Sequence, residues 1–213
     1  MTSGRPATYS AISSYSRVEI LHLLQTAPRR TIADLVAATG LHANTVREHL
    51  QRLVDEGYVV GETEERKVRG RPRVLYSASD GLTTSSPVQR RKVKESAARG
   101  DLLRRVLPAT VGGDGLSPDE RHQLDAVVDE LLDSGFDPVI DEDGLTIDLT
   151  PCAHAQSQAD HRDTLCQVHL SLLQGVLTEA RGPLAVDGMR PACDPRECVI
   201  QLMRTPPAGE SAA

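Results

Sequence analysis

Residues 31–61, TIADLVAATGLHANTVREHLQRLVDEGYVVG, decide the fold. Thr31 precedes Ile32, Leu35, Val36 and Ala38, whose i, i+3, i+4 spacing predicts a short helix, and Gly40 stands where a left-handed C-cap belongs. After the three-residue turn Gly40-Leu41-His42, residues 43–56 carry Val46, Leu50, Leu53 and Val54 on one stripe and stop at Gly57. Upstream, residues 14–27 (SYSRVEILHLLQTA) place Val18, Leu21, Leu24 and Gln25 at helical spacing before Pro28 ends the run. The set reads as a helix-turn-helix.

Residues 58–61 (YVVG) and 73–77 (RVLYS) read as strands flanking the charged stretch 62–71 (ETEERKVRGR). A helix-turn-helix followed by a β-hairpin is a winged helix. In the hairpin tip, Arg69, Arg71 and Arg73 alternate around Gly70 and Pro72. An Arg flanked by Gly and Pro is slim enough to enter a minor groove, where narrow A·T tracts attract guanidinium. On the third helix, opposite its apolar stripe, stand Asn44, Thr45, Arg47, Glu48 and Gln51, with Arg52 toward one edge. Recognition helices present their N-terminal turns to base edges, which makes Asn44 and Arg47 the first candidates for base contacts. The expected DNA-binding set is therefore Asn44, Thr45, Arg47, Gln51, Arg52, Arg69, Arg71 and Arg73. The rival reading of the same residues is a solvated, charged surface.

Charge supports the division of labour. Residues 1–99 carry 16 Lys/Arg against 10 Asp/Glu, net +6, whereas residues 100–213 carry 8 against 20, net −12. A basic half suits a polyanion, because each phosphate neutralised releases counterions. With no Trp and only Phe136, Tyr9, Tyr15, Tyr58 and Tyr76 as aromatics, a stacking platform for single strands is disfavoured and double-stranded DNA is the expected partner. No apolar run approaches the roughly 20 residues of a membrane span and no signal-like segment opens the chain, so a cytoplasmic location without membrane association is expected.

Residues 79–87 (SDGLTTSSP) read as a linker. From Val88 to Leu107 a helix with apolar Val93, Ala97, Leu102, Leu103 and Val106, broken at Gly100, reads as a dimerisation helix; a homodimer would match a palindromic operator. Residues 117–134 open with Ser-Pro-Asp-Glu, an N-cap followed by Pro, and carry Leu124, Val127, Val128, Leu131 and Leu132. Residues 136–140 and 145–149 flank Asp141-Glu142-Asp143-Gly144 as an expected β-hairpin. A helix over 162–180 and a closing strand over 199–203 complete the reading.

All four cysteines, Cys152, Cys166, Cys193 and Cys198, lie in the acidic half. In a reducing compartment four cysteines point to metal ligands, redox groups or core residues rather than disulfides. Their spacing is not that of a zinc ribbon, and Cys193 and Cys198 lack the C-x-x-C arrangement of a thiol oxidoreductase, the weaker alternative. A metal centre on Cys152, Cys166, Cys193 and Cys198 is the expected reading, with zinc as the alternative to an iron-sulfur cluster. No nucleophile triad, phosphate loop or dinucleotide fingerprint is present, so no enzyme activity is expected.

The wing RGRPRVLY (Arg69 to Tyr76), ELLDSGFDP (Glu130 to Pro138), Pro151-Cys152, LCQVHLSLLQG (Leu165 to Gly175) and Cys198 together resemble SufR, the winged-helix repressors of the iron-sulfur assembly operon within the ArsR/DeoR-like helix-turn-helix regulators. The resemblance implies an iron-sulfur cluster on cysteine thiolates in each subunit, 4Fe–4S ahead of 2Fe–2S, in a homodimer whose DNA affinity depends on the cluster and which controls cluster-assembly or oxidative and iron-stress genes. Cys152, Cys166 and Cys198 match the family; where it has Pro-Phe after the first cysteine this chain has Ala153-His154, and Cys193 has no counterpart. Cys193 is the preferred fourth ligand because four thiolates are usual, with His154 and His169 as the alternatives. The expected fold class is α+β: an N-terminal winged helix-turn-helix domain (1–80), a linker and dimerisation helix (81–110) and a C-terminal α+β cysteine-bearing cluster-binding domain (111–213).

Overall fold

The computed structural model describes residues 12, 14–64, 72–81, 84–107, 115–150, 159–189 and 197–206. Three helices open the described chain: α1 (Tyr15–Thr26), α2 (Ile32–Thr39) and α3 (Ala43–Asp55). Antiparallel β1 (Val59–Thr63) and β2 (Val74–Ala78) follow, with Val59 opposite Ala78 and Thr63 opposite Val74. Arg30, between α1 and α2, bridges Tyr76 through two backbone hydrogen bonds of 3.0 and 2.8 Å and so ties the hairpin to the helices. This is the expected winged helix. Its core is the apolar stripes of the three helices, with Val18, Leu21, Leu35, Val46 and Leu53 fully buried.

The remainder is α4 (Pro87–Val106), α5 (Pro118–Asp133), β3 (Val139–Asp141), β4 (Thr146–Asp148), α6 (Ala159–Ala180), β5 (Leu184–Met189) and β6 (Val199–Arg204). The strands form one antiparallel sheet in the order β3-β4-β6-β5. Helices α5 and α6 lie against each other, and their Val127, Leu131, Val176 and Leu177 form a second core with Ile147, Ile200 and Leu202 of the sheet. Ser117 caps α5 in a full capping box with Glu120, and Pro118 holds the first helical position, as the sequence signals indicate.

Two expectations change. Helix α4 runs unbroken through Gly100, because there the absent side chain lets α4 approach α5: an added Cβ would stand 2.0 Å from Asp125 Oδ2. Strand β6 does not close an edge but sits between β4 and β5, and β5 itself was not foreseen. The apolar residues at the end of α4 are not covered: Leu102, Leu103, Val106 and Leu107 are exposed, and so is Leu132 of α5.

Helix α6 belongs to both cores. Leu165, Val168 and Leu172 join the core of the winged helix, while Leu173, Val176 and Leu177 enter the second core. At its start His161 stacks on Tyr15 of α1, ring centroids 3.6 Å apart. A second tie is polar. The buried Tyr58 hydroxyl, at the base of the wing, donates to Glu130 Oε1 of α5 at 2.6 Å, and Lys92 Nζ of α4 lies 3.8 Å from Glu130 Oε2. Burial, together with the Glu130 charge, pushes the Tyr58 phenol well up.

Candidate nucleic-acid interface

Local chemistry fixes the two helices of the motif. Thr31 and Asp34 form a capping box: Asp34 N donates to Thr31 Oγ1 at 3.2 Å and Thr31 N to Asp34 Oδ2 at 2.8 Å. Those bonds from Thr31 hold the Asp34 carboxyl below its ordinary value. Gly40, at φ 69°, ends α2 in the left-handed region and turns the chain into α3. His42 caps α3, its Nδ1 accepting from Asn44 N at 3.3 Å, a role the sequence reading did not assign.

Helix α3 then buries Val46, Leu50 and Leu53 and exposes Asn44, Arg47, Glu48 and Gln51, with Thr45 half-buried. Arg47 Nη1 donates to Asn44 Oδ1 at 2.7 Å, so the two candidate base readers already form one hydrogen-bonded unit. Gln51 Nε2 donates to Asp55 Oδ1 at 2.7 Å. Arg47 and Arg73 both line a groove of about 740 Å³ between α2, α3 and the base of the wing, together with Ala33, Asp34, Ala37 and Tyr76. A neighbouring recess brings Gln51 beside Arg47. Two guanidinium groups lining one groove suit the phosphates and base edges of a duplex.

Arg52 stands elsewhere. It is half-buried in the last turn of α3, its Nε 3.4 Å from Glu56 Oε1. There it neighbours Arg17 of α1, whose pKa is lowered by burial and by the Arg52 charge. It lines neither the groove that holds Arg47 and Arg73 nor the recess that holds Gln51. Arg69 and Arg71 lie outside the described residues.

Of the cysteine set, the described residues include Cys166 and Cys198; Cys152, Cys193 and His154 lie outside them. Cys166 is half-buried on α6, and Cys198 is buried just before β6, its Sγ 3.8 Å from Met189 Sδ of β5. The Cys198 backbone is bound to the end of the β3–β4 hairpin, accepting from Leu149 N at 2.7 Å and donating to Thr150 Oγ1 at 3.3 Å. Thr150 precedes Cys152 by two residues in the chain. His169, one turn beyond Cys166, packs edge-on to Phe136 at 5.2 Å, within the second core's surroundings. Among the described residues, no group of three or more His, Cys, Asp or Glu is placed to hold a metal ion.

Compared with known protein families, residues 18–62 match the IclR helix-turn-helix domain. That span runs from α1 through α3 into β1. No curated protein and no solved structure matches the chain. The N-terminal part is thus a helix-turn-helix DNA-binding domain with a β-hairpin wing, of the kind that transcription regulators carry, and α3 occupies the recognition position. Among the described residues, no helix is long and apolar enough to cross a membrane.

Proposed function

We propose that this protein is a homodimeric transcriptional regulator whose binding to a palindromic operator is controlled by an iron-sulfur cluster on Cys152, Cys166, Cys193 and Cys198. The observation that carries the control is the double membership of α6. Cys166 is flanked on the same helical turns by Leu165 and Val168, which are buried in the core of the winged helix. Any restraint on the Cys166 thiolate is therefore transmitted to the seating of α1, and through it to α3, as a shift between populations of the DNA-binding unit.

The donor chemistry fits such a group. Cys166 and Cys198 offer soft thiolates in a half-buried and a buried setting, and a thioether adjoins Cys198. When bound, the cluster supplies sensitivity to oxidants and to iron supply. Cys152, Cys166, Cys193 and Cys198 would hold it, and α6 would couple it to α1. Pairing is assigned to the exposed end of α4: Leu102, Leu103, Val106 and Leu107, with Leu132 beside them, form an apolar surface that a second copy covers.

The test is an anaerobic purification followed by a visible spectrum and assays of iron, sulfide and zinc on the same sample. Visible absorption with matched iron and sulfide, lost in Cys166→Ser together with a change in operator affinity, is the expected result. A colourless protein with stoichiometric zinc, or equal operator affinity with and without the cluster, overturns the proposal while leaving the DNA-binding domain in place.

A further inference from the structure

Between the winged helix and α6 lies a cavity of about 550 Å³. Its two walls come from different units. One wall is the end of α1 with Leu24 and Pro28, and the exit from β2 with Asp80; the other is α6 with Leu170 and Ser171, joined by Val186 of β5. The volume is that of a small-ligand site.

The walls are held firmly. Gly81, at φ 72°, lays the chain leaving the wing directly on α6, where an added Cβ would stand 2.4 Å from Gly175 O. Asp80 Oδ1 accepts from Thr84 N at 2.7 Å, closing that loop. On the opposite wall Gln174 Oε1 accepts from Val186 N at 2.8 Å, and its Nε2 donates to Thr178 Oγ1 at 3.1 Å. The cavity is thus bounded by α6, by β5 and by the backbone-anchored Asp80, Gly81 and Thr84.

Its chemistry is one-sided. Leu24 and Pro28 on one wall and Leu170 and Val186 on the other give apolar surface, hydroxyls and amides give hydrogen-bonding groups, and Asp80 is the sole charged side chain among the described lining residues. Among the described residues, no Lys, Arg or His lines it. Such a site accepts an ammonium group and rejects a carboxylate or phosphate of the same size.

We infer that this cavity is an effector site for a small, singly charged cationic amphiphile, its ammonium on Asp80 and its apolar body on Leu24, Leu170 and Val186. An occupant touches both units at once, so its binding biases how α1 sits on α6. That effector role rests on the DNA-binding reading above.

The chain has no Trp, so the fluorescence of an indole probe is read without background. Tryptamine and indole-3-propionate share a ring and differ in the sign of their charge. With the full chain, tryptamine should show a saturable rise in anisotropy and indole-3-propionate should bind at least about tenfold more weakly. Asp80→Asn keeps an acceptor for Thr84 N and should cost about tenfold for tryptamine. Ser171→Phe, at an exposed position of α6 on the rim, should abolish binding without disturbing the core. Saturating tryptamine should shift affinity for a duplex selected from random DNA by about threefold or more in the unaltered protein and not in Ser171→Phe. No saturable binding, equal binding of the two probes, or unchanged binding in Ser171→Phe overturns the site; binding with unchanged duplex affinity overturns the effector role. Loss of duplex binding by the protein without tryptamine counts instead against the DNA-binding reading.

Discussion

Gly100→Ala adds one methyl group at the point where α4 lies closest to α5. In an exposed helix interior the change stabilises by about 1 kcal/mol, because Ala loses less backbone entropy than Gly. Here the new Cβ would stand 2.0 Å from Asp125 Oδ2 and 2.4 Å from Asp125 Cγ, deep inside van der Waals contact. The carboxylate is not at liberty to swing aside, since Arg104 Nη1 and Nη2 hold its two oxygens at 3.0 and 2.7 Å. Both side chains are about one-fifth exposed. Charge-assisted bonds of this type contribute about 1.5–3 kcal/mol, less some screening by solvent. Moving the helices apart instead carries the usual overpacking cost of about 1–3 kcal/mol. Either way the loss equals or exceeds the gain in helix propensity, and a net destabilisation of up to about 2 kcal/mol follows. For a chain of this size that lowers the thermal midpoint by up to about 8 °C, read by far-ultraviolet circular dichroism. In an Asp125→Ala background the obstacle is gone, and Gly100→Ala should become neutral or stabilising by up to about 1 kcal/mol. A higher midpoint for the single variant would refute the close approach of α4 to α5.

Gln123 is fully buried, its Nε2 donating to Leu177 O and Leu184 O at 2.9 Å each and its Oε1 accepting from Leu184 N at 2.8 Å. Gln123→Leu strands these backbone groups and should cost about 3 kcal/mol in urea unfolding, whereas a cost below about 1 would contradict the network. Burial pushes the Glu120 carboxyl up, but the Ser117 N–H and the Arg204 guanidinium outweigh it and hold the group below its ordinary value. A depressed native carboxyl stabilises above its unfolded value of 4.5 and loses that contribution as pH falls. Glu120→Gln should therefore flatten the fall in urea midpoint as the pH drops below about 5, and an unchanged acid limb would count against the Glu120–Arg204 pair. Leu102→Asp with Val106→Asp should convert a dimer to a monomer in analytical ultracentrifugation while leaving the circular dichroism spectrum unchanged; a persisting dimer would remove α4 from the interface.

The helix-turn-helix was legible because its signals are local. The apolar stripe of α3, the capping residue Thr31 and the turn at Gly40 each act within a few residues, and the wing followed from its two short apolar runs. What escaped depended on distant partners. Gly100 reads as a helix breaker until Asp125, on another helix, is seen to occupy the space a side chain would take. Periodicity predicts a helix over 162–180 but does not tell that Leu172 and Leu173 enter different cores. Strand β5 was hidden because Gly188 and the irregular register at Val186/Gly188 interrupt its alternation. In the site, the spacing of Asn44, Arg47 and Gln51 sufficed to place them on one exposed face. Arg52, five residues from Arg47, was assigned to the edge of that face, and only the packing of α1 shows it turned to Glu56 and Arg17. His42 as the cap of α3 carried no signal, since His is an uncommon cap.

Duplex binding by fluorescence anisotropy, followed against salt concentration with DNA selected by the protein itself, tests the DNA-binding reading most directly. The account predicts affinity that falls steeply with salt, a loss of about tenfold or more in Arg47→Ala, and a shallower salt slope by about one unit in Arg73→Ala. Arg47→Ala and Arg73→Ala proteins that bind with the unaltered affinity and salt slope would contradict it, and would move the nucleic-acid interface away from α3 and the wing.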